Sequence, residues 1–179
     1  KESIPFIPLY VVDQNYWSQN FSSIRHWNFV YDCLEELNIE LSNIGQPLII
    51  KKGSAVNIFK DIQSNFKINK VYAHEETSND WVRKENLSVK NWFAENLIKL
   101  IEYPTNDVVR GLKSRDEWIK IKNQRLLSEV IPSPVKVKKI DYYNSDLISR
   151  KLIRFEDDLI FNIQLYLIKA KDLYDEYIN

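Results

Sequence analysis

The chain has 179 residues, 44% of them hydrophobic and 13% aromatic, so it can form one ordinary core and is too apolar to be disordered. Its 25 basic and 25 acidic residues balance, which excludes a strong net electrostatic attraction to nucleic acid or to an anionic membrane. The single cysteine, Cys33, excludes an internal disulfide and a thiolate-rich zinc site, and it favours a cytoplasmic location.

The first predicted element is a strand over residues 5–13, followed by a helix. The run from Ile4 to Val12 is continuously apolar and ends at Asp13, which is typical of a strand buried on both faces of a parallel sheet. From Ser22 or Ser23 onward, apolar residues recur every three or four positions until Gly45. This spacing predicts a helix with one apolar face.

The alternation then repeats along the chain. Apolar runs predict strands over residues 46–51, 69–74 and 97–103, and helical spacing predicts helices between them. Such alternation, at intervals of about thirty residues, indicates right-handed βαβ units. The predicted fold class is α/β, a Rossmann-like parallel sheet flanked by helices. No apolar run approaches the ~20 residues of a membrane-spanning helix, so we expect no membrane contact.

A domain boundary is predicted after the fourth strand and one further helix. Helical spacing continues past Arg115 and stops at Pro132-Ser133-Pro134, which divides the chain into an α/β domain over 1–131 and an extension over 132–179. Val135–Lys138 suits a linker better than an edge strand. From Asn144 or Ser145 to the terminus, helical spacing predicts a long amphipathic helix.

Several side chains have a plain structural interpretation. The tryptophans Trp27, Trp92 and Trp118 fall at helical spacing and are predicted to lie in the core, and Cys33 is predicted to be a small packing residue. Four cations are predicted to be solvated or paired with acids, although phosphate or a neighbouring domain would also suit them: Arg25, Arg110, Lys113 and Arg115.

Common catalytic and cofactor motifs are absent from the sequence. With three glycines and no glycine-rich phosphate loop, the chain lacks a standard dinucleotide or nucleoside-triphosphate site. His26 and His74 lack the spacing of metal ligands, and no nucleophile motif is present. We therefore predict neither a metal site nor a catalytic residue in this chain.

The best candidate site lies where predicted strands end. Asp13 follows one strand, and His74-Glu75-Glu76 follow another. Ligands of open α/β sheets bind beyond the carboxyl ends of strands, so we expect Asp13, Glu75 and Glu76 to converge in one cleft. The alternative is that the two glutamates cap the following helix and His74 bonds the backbone.

Five segments resemble the N-terminal domain of DNA photolyases and cryptochromes, in the family's order and spacing. Pro8–Asp13, followed by Tyr16 and Trp17, looks like a family strand with an acid at its end, which makes Asp13 the matching acid. The remaining segments look like the family's next helix and strand, and like a bacterial cryptochrome-like branch: Ser23–Leu37, Gly45–Gly53, Val71–Thr77 and Val108–Trp118.

The resemblance implies that Asp13, His74, Glu75 and Glu76 line the site of an antenna chromophore. The chromophore would be a folate, a deazaflavin or a flavin, and the alternative is that none is bound. FAD and DNA would be bound only through a helical domain that this chain lacks. The chain would be a fragment or split half of a deoxyribodipyrimidine photolyase or cryptochrome, and its carbon-carbon lyase chemistry or photoreception would need that domain. The alternative is a degenerate α/β module that binds a nucleotide-like ligand or a protein partner without photochemistry.

The resemblance also implies a missing strand. The family's first strand, at the middle of the sheet, would precede Lys1. A vacant central slot would leave buried backbone groups unpaired, so we expect the slot to be filled. An upstream segment, a strand exchanged in a homo-oligomer, or the run Val135–Ile140 would serve, the last being the least suitable because its lysines alternate.

Overall fold

A computed structural model describes residues 5–104, 108–141 and 144–151. Its contacts divide the chain into a first unit, Lys1–Gly53 with Val135–Asn179, and a second unit, Ser54–Pro134. The elements are, in chain order, β1 (Leu9–Val12), α1 (Gln14–Trp17), α2 (Ile24–Asn43), β2 (Ile49–Lys52), α3 (Ala55–Asn65), β3 (Lys70–His74), α4 (Asp80–Glu95), β4 (Lys99–Tyr103) and α5 (Arg115–Leu126).

In the first unit, β1 and β2 pair in parallel, with Leu9 opposite Ile49. The carbonyl oxygen of Pro8 accepts a hydrogen bond from the Ile49 N–H at 2.8 Å. Alternate residues of a strand direct their backbone groups to opposite edges, so Leu9 and Val11 direct theirs away from β2. β1 is shorter than the predicted strand over 5–13, because Pro5 and Pro8 have no N–H to donate to a ladder.

Aromatic side chains form the core of the first unit. Val12, Trp17 and Trp27 are buried, and the rings of the two tryptophans lie 4.9 Å apart in an edge-on arrangement. The Trp27 indole N–H donates to the carbonyl oxygen of Ser149 at 3.0 Å. The prediction that Trp27 lies in the core is confirmed. Burial, aided by the nearby Tyr16, raises the pKa of Tyr10 to about 12.

Residues 137–141 and 144–150, here called the strap, belong to the first unit and lie against the end of α2 and the edge of β2. The Val137 N–H donates to the carbonyl oxygen of Ile44 at 2.9 Å, where α2 ends. Gly45 follows with a φ of 110°, and a side chain there would meet the Val137 carbonyl oxygen at 3.3 Å. Glycine therefore ends α2 and also makes room for the strap.

The strap continues along the outer edge of β2. The Ile50 N–H donates to Ser145 Oγ at 3.0 Å, and the Ile50 carbonyl oxygen accepts from the Asp146 N–H at 2.7 Å. Asp146 Oδ2 accepts from the Lys52 N–H at 2.7 Å. The prediction of a helix from Asn144 or Ser145 is therefore wrong over residues 144–151, because these residues bond β2 instead. The rest of that prediction lies outside the described residues.

In the second unit, β3 and β4 pair in parallel, with Lys70 opposite Lys99 and His74 opposite Tyr103. Helices cover one face of this sheet, where Val71 and Leu100 pack against a buried cluster from α4 and the residue before β4: Trp92, Phe93 and Ile98. Phe59 of α3 joins the cluster, with its ring 4.7 Å from that of Phe93. The core position predicted for Trp92 is confirmed.

Two predicted core positions are wrong. α5 has no buried residue, and Trp118 is only partly buried, with the Lys122 Nζ 5.0 Å from its ring centroid. Cys33 is exposed, because it lies to one side of the buried face of α2, which carries Trp27 and Leu34. Helical spacing predicts which residues share a face, but not whether another element covers it.

The parallel strands and flanking helices confirm the predicted α/β class. Among the described residues they form two sheets of two strands each, β1 with β2 and β3 with β4. The predicted division into 1–131 and 132–179 stays a prediction.

Candidate functional site

Asp13, at the carboxyl end of β1, holds a local turn. Its Oδ1 accepts a hydrogen bond from the Asn15 N–H at 2.8 Å, and Asp13 is the N-cap of the short helix α1. Next to it, the Val12 carbonyl oxygen accepts from the Gly53 N–H at 3.0 Å. Asp13 therefore satisfies a backbone donor, which leaves its other carboxylate oxygen for a further donor.

The other predicted site residues lie at the carboxyl end of β3. His74 is exposed, and the Glu75 N–H donates to the Tyr103 carbonyl oxygen at 2.7 Å. Oε1 of Glu76 accepts from the N–H groups of Thr77 and Ser78, both at 2.9 Å, and from Ser78 Oγ at 2.5 Å. Glu76 thus orders the turn before α4, whose N-cap is Asn79.

An exposed pair of aromatic rings lies beside these residues. Tyr72 and Tyr103 are 58% and 53% exposed, and their rings stack with centroids 6.4 Å apart and planes 16° apart. Side chains alternate along a strand, so Tyr72 shares its face with Lys70 and His74. Sequence reasoning missed this pair, although both tyrosines lie within strands that were predicted from the sequence.

The open face of the β3–β4 sheet is basic and aromatic. Six side chains share it by alternation and register: Lys70, Tyr72, His74, Lys99, Ile101 and Tyr103. All are exposed except the half-buried Ile101. A planar ring stacks well on tyrosine, and the nearby cations favour an anionic substituent.

An ion cluster closes the same end of the sheet. Glu102 of β4 accepts from Lys90 Nζ at 2.6 Å and from Arg110 Nη1 at 3.3 Å, with only 19% of its side chain exposed. Arg110 Nη2 also donates to the Glu76 carbonyl oxygen. The interpretation of Arg110 as a cation paired with an acid is therefore correct, although Asp116 was the acid considered. Arg110 fastens residues 108–111 to the turn after β3.

The electrostatics of this cluster favour an ionised carboxylate. Burial alone would raise the pKa of Glu102, but the hydrogen bond and charge of Lys90, together with Arg110, outweigh it and hold the pKa below its ordinary value. Glu102 and Lys90 were missed by sequence reasoning, because they stand twelve residues apart and only the α4–β4 packing brings them together.

The structure brings His74, Glu75 and Glu76 to one sheet edge in the second unit, whereas Asp13 belongs to the first unit. The convergence of Asp13, Glu75 and Glu76 in one cleft stays a prediction. No set of three metal-binding side chains clusters anywhere in residues 5–104, 108–141 and 144–151. Within those same ranges, no helix combines the length and apolarity needed to cross a membrane.

Comparisons with known proteins agree on one family. A family model described as DNA photolyase matches residues 1–113. The chain is 28% identical over 91 residues to a cryptochrome DASH of Solanum lycopersicum, described as chloroplastic/mitochondrial, and this match covers 48% of the chain and 16% of that protein. In structure it is similar to a class III photolyase of Agrobacterium tumefaciens, with a TM-score of 0.61 and 12% identity, over 80% of this chain and 31% of that one.

Proposed function

Because the chain belongs to the DNA photolyase family, we propose that it is the antenna-side α/β domain of a photolyase or cryptochrome. In this proposal it is a fragment or split half that binds an antenna chromophore and docks on a helical FAD domain of another polypeptide, for light-driven DNA repair or photoreception in the cytoplasm. The observation that carries the proposal is the match over residues 1–113, which span β1 to β4.

The chain spans less than a third of the photolyase that it matches in structure and 16% of the matched cryptochrome. The FAD site and the DNA contacts of the whole protein are therefore assigned to the partner domain. In the described residues, Lys90 and Arg110 both pair with the single carboxylate of Glu102. The equal numbers of basic and acidic residues in the sequence fit a role without direct DNA contact.

The antenna site that we propose is the carboxyl end of β3 and β4. The exposed rings of Tyr72 and Tyr103 offer a stacking surface for a pterin, deazaflavin or flavin ring. His74 and the carboxylates of Glu75 and Glu76 are the groups that would hydrogen-bond ring nitrogens and oxygens. An antenna pigment, when bound, absorbs light and transfers energy; these residues only bind and orient its ring.

The experiment is equilibrium binding followed by absorbance spectroscopy. The 179-residue chain is incubated separately with a reduced folate, a deazaflavin and a flavin, and the protein is then separated by gel filtration. We expect one pigment to elute with the protein at near one equivalent, with a shifted absorbance band. Tyr103→Ala should weaken its binding about tenfold, whereas Trp118→Ala on α5 should leave it unchanged. Elution of all three pigments without protein would remove the antenna assignment.

A second candidate function is an α/β docking module without pigment. The local bonds of Asp13 and Glu76 favour it, since both carboxylates already serve backbone donors. In this case the chain would bind a nucleotide-like ligand or the partner domain and remain colourless. The gel-filtration experiment, repeated with a photolyase FAD domain and analysed by sedimentation, separates the two candidates. In the second case, docking to that domain would persist in the absence of every pigment.

A further inference from the structure

Arg110 joins two segments that meet at the candidate site. Its Nη1 donates a hydrogen bond to Oε1 of Glu102 on β4 at 3.3 Å, and its Nη2 donates to the backbone carbonyl oxygen of Glu76 in the turn after β3. A guanidinium is planar and presents its N–H groups in a fixed fork, so a bridge between two acceptors fixes the distance between them. One side chain therefore sets where the turn lies relative to the end of β4.

The Glu76 end of this bridge lies within the turn itself. The Glu76 carboxylate accepts from the N–H groups of Thr77 and Ser78, and the Glu75 N–H donates to the Tyr103 carbonyl oxygen. Arg110 thus binds the backbone of the same residue whose side chain orders the turn. A shift of this backbone carbonyl would move the carboxylate with it, so the orientation of the carboxylate depends on Arg110.

The Glu102 end of the bridge is fixed by its surroundings. Only 19% of the Glu102 side chain is exposed, and its second carboxylate oxygen accepts from Lys90 Nζ on α4 at 2.6 Å. Charge-assisted hydrogen bonds that are shielded from water hold better than exposed ion pairs. The ion pair between Arg83 and Asp80 on α4 is of the exposed kind, with 75% and 83% of the side chains exposed. Glu102 is therefore a firm anchor for Arg110.

The backbone around Arg110 is held by contacts outside the candidate site. Gly111, the next residue, has a φ of 67°, a conformation that a side chain would strain. Before Arg110, the Val108 carbonyl oxygen accepts from Arg125 Nη1 on α5 at 3.0 Å. The position of the guanidinium is therefore determined by the fold and not by a bound ligand.

We propose that Arg110 is a positioning residue of the ligand site at the carboxyl end of β3: it bridges Glu102 and the Glu76 backbone, and so fixes the turn over residues 75–78 with its carboxylate. The inference rests on the proposed function for the ligand of this site, whereas the bridge belongs to the chain without ligand. Arginine is required rather than any cation, because lysine has a single nitrogen and cannot hold two separate acceptors in a fixed fork.

The first measurement is amide hydrogen exchange by NMR in the ¹⁵N-labelled 179-residue chain without ligand. Arg110→Lys keeps the charge but loses the bridge, so exchange at the Thr77 and Ser78 N–H groups should become about tenfold faster, with little change in the midpoint of thermal unfolding. Arg83→Lys is the matched control, because the same change in an exposed ion pair should leave both amides unchanged. If Arg110→Lys fails to fold, Glu102→Gln keeps Arg110 and an acceptor oxygen and should give a smaller acceleration at the same amides.

The second measurement separates positioning of the ligand from support of the turn alone. For the pigment that the native chain retains, Arg110→Lys should weaken binding about fivefold and return the absorbance band toward that of the free pigment. Unchanged exchange at Thr77 and Ser78 would overturn the proposal, and so would faster exchange with unchanged affinity and absorbance. If the native chain retains no pigment, the proposed function fails, and the exchange rates alone then decide whether Arg110 positions the turn.

Discussion

The Nζ atom of Lys90 lies 2.6 Å from Oε2 of Glu102, and this ion pair joins α4 to the carboxyl end of β4. Arg110 reaches the other oxygen of the same carboxylate and also donates to the backbone of the turn after β3. One half-buried acid therefore connects three segments that surround the candidate site, and its charge state should control how firmly they are held.

The first prediction concerns the acid stability of the second unit. The pKa of Glu102 is lowered in the folded state, so its ionisation stabilises the fold above the unfolded pKa of about 4.3, and this contribution is lost as the pH falls through the folded value. A Glu102→Gln variant has no carboxyl group to protonate at this position, so its free energy of unfolding should fall less than that of the native chain between about pH 5 and pH 3. Urea unfolding across this range is the measurement, and the exposed Glu95→Gln is the control. An unchanged profile in Glu102→Gln would show that the pair has no net effect.

The second prediction concerns the aromatic core of the first unit. Trp27 is fully buried and packs against Trp17, so Trp27→Ala should lower the free energy of unfolding by about 3–5 kcal/mol. Trp118→Ala should cost less, about 1–2 kcal/mol, since that side chain is only partly buried. Chemical denaturation followed by circular dichroism measures both. Equal losses would mean that α5 is packed more closely than the structure shows.

The third prediction concerns the strap. Asp146→Ala removes the acceptor of the Lys52 N–H and should cost about 1 kcal/mol of stability, with faster hydrogen exchange at the Lys52 amide. Lys138→Ala, an exposed change on the same segment, should stay within about 0.5 kcal/mol of the native chain. If Lys52 exchanges equally fast in both variants, the strap does not cover the edge of β2 in solution.

The fourth prediction separates the two interpretations of Glu76. Its Oε1 orders the turn at Thr77 and Ser78, so Glu76→Ala should lower stability by about 0.5–2 kcal/mol without any pigment present. Glu76→Gln keeps an acceptor oxygen, so its stability should fall much less than that of Glu76→Ala. Thermal unfolding and amide exchange at Ser78 report the effect. A fully stable Glu76→Ala chain that binds pigment less tightly would instead assign Glu76 to the ligand alone.

Sequence periodicity predicted the α/β fold because each element has a local signal. Ser23 and Ser54, for example, stand where α2 and α3 begin, and Gly45 stands just past the end of α2. The strap was not predictable in the same way. Ile148 fits a helical pattern, but the backbone of Ser145 and Asp146 gains more from the uncovered edge of β2, which no local signal reveals.

The candidate site was predicted only in part for a similar reason. The acids at the ends of β1 and β3 were found from strand topology, yet the bonds of Asp13 and Glu76 depend on turns whose geometry the sequence does not specify. Glu102 was missed because its environment is made by two residues from other elements, Lys90 and Arg110. Pairings between distant segments are the part of a site that a single sequence leaves open.

The first unit is discontinuous along the chain, because the second unit is inserted between β2 and the strap. The hydrogen bond from Trp27 to Ser149 spans 122 residues, so it cannot form on the ribosome until the whole of the second unit has been synthesised. Domains usually fold in the order in which they emerge. Here the second unit is complete before the first, because residues 135–150 of the first unit are synthesised last. Until then the first unit cannot form its complete core around Trp27.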